Sequence, residues 1–276
     1  MRGQAKDTVL REMAERYGGE APAGAAAPNP VISVMLRHRS VRSYAERELP
    51  EGLLETLIAA GQSAATSSNM QTVSVVAVRD PATRTALSRA ASGQAFVAQA
   101  LVVLCFVADL SRAARVGEAT GADLFALPML DSFLASCNDC AIFAQNVALA
   151  AEAEGLGTCY VGNLRNDPEH IAGLLDLPPG AVALFGLCLG YETGQPTGVR
   201  PRLPQAVVLH RERYSTEGEA EALARYDRTF RDHEVAQGRP VGSWTGRHAA
   251  RLGSRAYLAG REHMRAVLNR LGFPLT

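Results

Sequence analysis

The stretch Arg37-His38-Arg39-Ser40-Val41-Arg42-Ser43-Tyr44 puts three guanidiniums, one imidazole and three hydroxyls into eight residues. A guanidinium is a planar fork of donors that suits a phosphate or a carboxylate, and Ser40 adds a hydroxyl between two of them. Arg39 and Arg42 are three apart and would share a face at a helix end. A second segment, Arg200-Pro201-Arg202, carries the same chemistry. Pro201 biases Arg200 toward an extended backbone, and residues two apart in an extended chain point the same way. Taken alone, each segment fits a solvated basic loop as well as an anion site. Taken together they offer two grips for one phosphate.

The elements that must position these residues follow from periodicity. Thr8 to Tyr17 has apolar residues at helical spacing, and Gly18-Gly19 stops it. Residues 21–30, APAGAAAPNP, read as a linker. Val31 to Leu36 predicts one or two helical turns. Pro50 predicts the start of a helix carrying Leu53, Leu54, Leu57 and Ile58, followed by a small, polar loop from Gln62 to Asn69. Thr72 to Arg79 is valine-rich and predicts a strand. A helix follows from Asp80-Pro81 to about Ala91. Leu101 to Ala108 and Val182 to Tyr191 are nearly continuous apolar runs, suited to strands covered on both faces.

Leu130 to Gly155 predicts a long helix whose apolar side includes Phe133, Cys137, Cys140, Ala144, Val147, Ala148 and Ala151. Thr158 to Gly162 predicts a short strand. Asp167-Pro168-Glu169 is a helix start with cap, proline and acid in the favoured order. Glu192 to Gln205, with Pro196, Pro201 and Pro204, must be extended, and Val207 to His210 could form a last short strand. Helices are expected over Glu217 to Glu234, His248 to Arg255 and Leu258 to Leu271. Strands and helices interleave, yet neither a GxGxxG turn nor a Walker lysine motif is present. The economical architecture is a three-layer sandwich with helices around one mixed sheet.

The totals narrow the function classes. The chain has 276 residues and 47% hydrophobic content, enough for a substantial core, and its formal net charge is zero. Zero net charge gives no general pull toward nucleic acid or membrane. The charge is uneven, with ten arginines against four acids between Arg225 and Arg270. No run of eighteen apolar residues exists, and the charged start lacks a signal-peptide apolar region, so a cytoplasmic protein off the membrane is expected. The five cysteines sit in apolar segments and are too few for a disulfide scaffold. Cys137 and Cys140 form a CxxC well inside a predicted helix, which favours packing over thiol chemistry. His170, His210, His233, His248 and His263 lack metal-ligand spacing, so no metal is expected.

The ordered set HRSVRSY, SAATSSNMQ, SGQAFVAQA, GLGTCYVGNLR, LFGLCLGYE and RPRLP resembles the NADPH-dependent nitroreductase and flavin reductase family. The likeness is to the branch of oxygen-insensitive nitroreductases and flavin reductases of luminous bacteria, and it spans roughly Val31 to Tyr226. The resemblance implies an α+β, nitroreductase-like three-layer α/β/α sandwich with a central mixed, largely antiparallel sheet. It implies a homodimer with one FMN per subunit at the dimer interface. It divides the chain into an N-terminal helix and linker (1–29), an FMN-binding core (30–215) and a C-terminal helical extension (216–276).

By the same resemblance His38, Arg39 and Ser40 lie along the phosphate and ribityl chain, Val41 belongs to the cofactor-binding set, and Arg42 reaches the pyrimidine side of the flavin. Thr66, Ser67, Ser68, Met70 and Gln71 sit beside the cofactor, and Gln94 contacts its polar edge. Tyr160, Val161, Gly162 and Asn163 line the ring. Arg200 and Arg202 complete the phosphate cage. The reducing cosubstrate is NADPH, with NADH possible, and Arg239 and Arg247 are candidates to bind it. The chain departs from the family at that cosubstrate loop, and Asn69 stands where a bulky aromatic is common. No catalytic side chain is expected, because hydride passes through the flavin to nitroaromatics, quinones or free flavin. Two other functions compete: a specialised flavin oxidase or reductase in a biosynthetic pathway, and a non-catalytic anion or nucleic-acid binder using the Arg-rich C-terminal helices.

Overall fold

Several helices begin where the sequence supplies a cap. Asn29 Oδ1 accepts from the backbone N–H of Val31 at 2.9 Å, ahead of Pro30 at the first helical position. Asp80 and Asp167 cap in the same way, each just before a proline. The computed structural model describes residues 2–19, 29–194 and 197–276. In chain order these form helices α1 (Arg2–Tyr17), α2 (Pro30–Leu36) and α3 (Leu53–Gln62), then strand β1 (Val73–Val78). Helices α4 (Pro81–Ala90) and α5 (Ala95–Gln99), strand β2 (Val102–Asp109), and helices α6 (Ser111–Thr120) and α7 (Leu130–Ala153) follow. Strand β3 (Gly157–Val161), helix α8 (Pro168–Leu174) and strand β4 (Ala181–Gly190) come next. The chain closes with α9 (Gln205–Val208), α10 (Glu219–Ala236), α11 (Trp244–Leu252) and α12 (Met264–Arg270). Most of the linker expected over 21–30, and residues 195–196 of the extended segment, lie outside the described residues.

The chain divides into two units, Met1–Arg39 with Gln195–Tyr257, and Ser40–Gly194 with Leu258–Thr276. The second unit holds a four-stranded sheet in the order β1-β2-β4-β3, antiparallel throughout. The parallel component of the expected mixed sheet is an isolated bridge from Ser40 to Thr158. On one face Leu104, Phe106 and Leu189 pack with Leu57 of α3 and Phe143 and Val147 of α7. On the other, Val103, Cys105, Val161 and Cys188 pack with Leu87, Val97 and Ile171 of α4, α5 and α8. The sheet therefore has a helical layer on each side, the α+β sandwich expected.

The first unit contains α1, α2, α9, α10 and α11. Polar contacts tie parts of it together. Glu12 of α1 accepts from Ser33 Oγ at 2.5 Å, the Tyr226 hydroxyl donates to the Pro201 carbonyl at 2.9 Å, and Asp227 accepts from Thr245 N at 2.9 Å.

The two units divide the chain at other places than the divisions expected at 29/30 and 215/216. Helix α1 belongs with residues 197–257, and residues 258–276 pack in the other unit, where Leu268, Phe273 and Leu275 join Leu110 and Val182. Val207 to His210 is not a strand. Pro204 opens the short α9, whose first turn closes with Leu209 N donating to Gln205 O at 2.7 Å. The helix expected over Leu258 to Leu271 is interrupted, because Ala259 and Gly260 adopt φ of 47° and 92°, and α12 starts only at Met264. Helix α3 starts at Leu53 rather than Pro50, behind a left-handed Gly52. Arg39 and Arg42 do not share a helix face, since the chain leaves α2 at Arg37 and bridges to β3 at Ser40.

Candidate active site

In the sheet-containing unit the segment after Arg39 is seated by glycine. Val41 N donates to Thr158 O at 2.8 Å, and Thr158 Oγ1 donates to Glu152 at 2.6 Å. Gly157 and Gly190 are register partners on β3 and β4. A Cβ on Gly157 would lie 2.7 Å from the Val41 side chain, and one on Gly190 would lie 2.7 Å from the Tyr44 ring. Any side chain at either glycine would push this segment off the sheet. The Tyr44 hydroxyl donates back to Val41 O at 2.7 Å, and burial raises its pKa far enough to keep it a donor. With Val41 and Tyr44 inward, Arg42 is outward, its guanidinium carbon 5.7 Å from the Phe96 ring centroid.

The loop from Thr66 to Gln71 carries unusual backbone. Ser68, Asn69 and Gln71 have φ of 48°, 54° and 51°, conformations costly for residues with a side chain. Three anchors hold it. Asp139 Oδ1 accepts from Ser67 N at 2.9 Å. Ser136 Oγ donates to Thr72 O at 2.9 Å, and Arg112 donates to Gln71 O at 2.5 Å. Asp109, beside Arg112, is buried, which works against ionisation; hydrogen bonds from Ser111 and Ser74 and the Arg112 charge outweigh that and hold its pKa low.

Gln94 follows the left-handed Ser92-Gly93 turn. Its carbonyl accepts from Ser88 Oγ at 2.9 Å, while its side-chain Oε1 is buried and has no donor among the described residues. Ser92 Oγ accepts from Asn166 Nδ2 at 2.9 Å and from Asn163 Nδ2 at 3.5 Å. The Gln94 loop and the 3-10 turn Gly162–Asn166 at the end of β3 are thus brought together. Val161 is buried, whereas Tyr160 points to the α7 face, 5.6 Å from the Phe185 ring, with its hydroxyl 3.4 Å from Gln145.

In the other unit the two basic segments meet through one side chain. Arg16 of α1, 7% exposed, donates to Leu36 O at 2.6 Å, to His38 O at 2.7 Å and to Arg200 O at 2.9 Å. Arg202 N donates back to Arg16 O at 2.9 Å. Residues 38–39 and 200–202 are therefore fastened to the same arginine. Behind Arg200 lies Glu234, 1% exposed, with Arg200, Arg239 and Arg247 at 3.4, 3.2 and 2.5 Å. Burial opposes ionisation of Glu234, but hydrogen bonds from Arg247 and Arg239 and the Arg200 charge hold its pKa below the usual range. Three cations face this one carboxylate. In the same unit a cavity of about 600 Å³ is lined by Arg202, Arg225, Arg228, Tyr226 and Asp232 among others.

The cysteines are free thiols. Burial pushes Cys137 up to about 11 and Cys105 to about 12, so they remain protonated packing groups at neutral pH. Among the described residues no cluster of His, Cys, Asp or Glu could hold a metal ion, and no helix is long and apolar enough to cross a membrane.

Residues 35–191 match the model of the nitroreductase family, and residues 200–276 match that family's C-terminal domain. The chain belongs to the nitroreductase family. It is 34% identical over 222 residues to an FMN reductase (NADPH) of Bacillus subtilis (strain 168), covering 79% of this chain and 89% of the relative. It is 35% identical to the oxygen-insensitive NADPH nitroreductase of Salmonella typhimurium, covering 76% of this chain and 85% of the relative. The solved structure of an NADPH:FMN oxidoreductase from Vibrio harveyi complexed with NAD+ superposes with a TM-score of 0.79 at 33% identity, covering 90% of this chain and all of that one. The family match begins at residue 35, so α1, and with it Arg16, precedes it.

Sequence reasoning missed Arg16, Asp139 and Glu234. Arg16 sat in a helix taken for an appendage. Asp139 was hidden between the two cysteines of the CxxC. Glu234 stood at the end of a predicted helix with nothing local to mark it as buried.

Proposed function

We propose that this chain is an FMN-dependent NAD(P)H oxidoreductase of the nitroreductase type, passing reducing equivalents to nitroaromatics, quinones or free flavin. The observation that carries the reading is the pair of basic segments fastened to Arg16, in a chain whose relatives are NADPH-dependent flavin reductases and nitroreductases. FMN bound there would supply two-electron hydride chemistry between the nicotinamide cosubstrate and the second substrate.

The residues suit that group. His38, Arg39, Arg200 and Arg202 would take the phosphate, with Ser40 and Val41 along the ribityl chain. Three charge-assisted bonds at roughly 2 kcal/mol each give about 6 kcal/mol, and micromolar affinity needs about 8 kcal/mol, the remainder coming from burial of the ring. The buried, donor-less Oε1 of Gln94 suits a ring N–H. Arg42, held outward, would stabilise negative charge on the pyrimidine ring. Thr66, Ser67, Ser68, Met70 and Gln71, on the anchored strained loop, and Tyr160, Val161, Gly162 and Asn163, at the end of β3, would border the ring. Arg239 and Arg247 remain candidates for the cosubstrate phosphate, which would share them with Glu234.

The chain would act as a homodimer. Leu130, Leu134 and Ile142 of α7 are 41, 50 and 46% exposed, an apolar surface that a second copy would cover. Against the nucleic-acid reading, Arg270 is paired with Glu169 and Arg251 lies over the Tyr257 ring.

The test is direct. Purified protein should be yellow, or become so with FMN, and NADPH should bleach it before an acceptor restores the colour. A colourless protein that neither retains nor rebinds FMN would overturn the reading.

A further inference from the structure

Helix α1 precedes the family match, yet its inward residues sit at the centre of the basic cluster. Glu12 and Arg16 are four apart, on one helical face, and are 6 and 7% exposed. Glu12 fixes α2, accepting from Ser33 Oγ at 2.5 Å and pairing with Arg37 at 3.6 Å. Arg16 spans the carbonyls of Leu36, His38 and Arg200. The return bond from Arg202 N to Arg16 O closes the connection on the other side. The helix end is itself fixed: Gly18, at φ of 77°, packs against Thr229, and Tyr17 accepts from Gln205 Nε2 at 3.2 Å. One buried guanidinium therefore sets the separation between the backbone that carries His38 and Arg39 and the backbone that carries Arg200 and Arg202.

We propose that Arg16 is a positioning residue for phosphate recognition, making the chain select a phosphorylated flavin over its dephosphorylated form. The inference rests on the FMN reading above. A guanidinium holds carbonyls in a fixed fork, which an ammonium or a thioether does not. Arginines on two chain segments act on one phosphate only if the segments are held at the right spacing, and preorganisation of that spacing is worth affinity without any contact from Arg16 itself. Three Arg16 bonds go to backbone oxygens of the two segments, which makes it a residue that shapes the grip. Riboflavin offers the same ring and ribityl chain without the phosphate, and its affinity should not sense that spacing.

The test is fluorescence titration of the flavin-free full-length protein with FMN and with riboflavin, for wild type, R16M and R200A. Methionine keeps most of the volume and removes every donor. R16M should weaken FMN binding by roughly 10- to 100-fold and leave riboflavin binding unchanged. Should R16M not fold, R16K, which keeps the charge but spans fewer carbonyls, gives the same test with a smaller shift. Unchanged FMN affinity, or an equal loss for both ligands, would overturn the inference, the second result indicating general loosening. R200A separates the two levels. If R200A loses the preference for FMN while the Arg16 variant keeps it, the positioning role alone fails. If neither wild type nor R200A distinguishes FMN from riboflavin, the phosphate reading fails and the inference with it.

Discussion

Val41 and Tyr44 reach their places because Gly157 and Gly190 leave room for them. His38 and Arg200 reach theirs because Arg16 holds their carbonyls. In the sheet-containing unit the segments expected at the flavin are set by shape, with a strand buried along its whole length beneath them. In the other unit they are set by charge, with Arg16 and Glu234 buried and hydrogen-bonded. Errors of volume should therefore damage the first kind of region and errors of charge the second.

The largest effect should come from the sheet. Phe106, fully buried between Phe143 and Phe185, anchors one face. F106A should cost about 3–5 kcal/mol in thermal or denaturant unfolding. G157A should cost about 1–3 kcal/mol through overpacking against Val41. It should also weaken flavin binding, since Ser40 and Arg42 would shift with it. A G157A protein of unchanged stability would break the shape account of that region.

On the charged side, E234Q should destabilise by about 1–3 kcal/mol at neutral pH, because hydrogen bonds from arginines to a carboxylate become bonds to an amide. Its pH dependence is diagnostic. The folded-state pKa of Glu234 is below its ordinary value of 4.5. Its contribution is thus present above about that pH and lost as pH falls through the lower folded value. Melting temperatures between pH 3 and 7 should fall more steeply on the acid side in wild type than in E234Q. Parallel curves would show that the three arginines do not hold the carboxylate in solution. The smallest effect belongs to Arg270 and Glu169, a two-bond ion pair exposed to solvent. R270A should leave the melting temperature unchanged within error, which separates exposed charge from the buried charge at Glu234.

The same contrast explains what could be read from the chain beforehand. The continuous apolar runs at Leu101–Ala108 and Val182–Tyr191 announced β2 and β4, and proline after a capping acid announced α4 and α8, because those signals are local. Arg16 and Glu234 act over separations of 184 and 34 residues onto Arg200. No spacing rule connects them. Val207–His210 has strand composition, but Pro204 and a single closed turn decided for helix. The break before α12 depended on Ala259 taking a positive φ, which alanine composition does not signal. The basic segments themselves were legible as residue types; that one buried arginine fastens both was not.

The most direct measurement is a crystal structure of the protein loaded with FMN. The FMN phosphate should lie within about 2.7–3.2 Å of guanidinium nitrogens from Arg39, Arg200 or Arg202, with the Arg16 bonds to His38 and Arg200 intact. A phosphate held instead by Arg225 and Arg228, or standing in solvent away from residues 38–39 and 200–202, would contradict it.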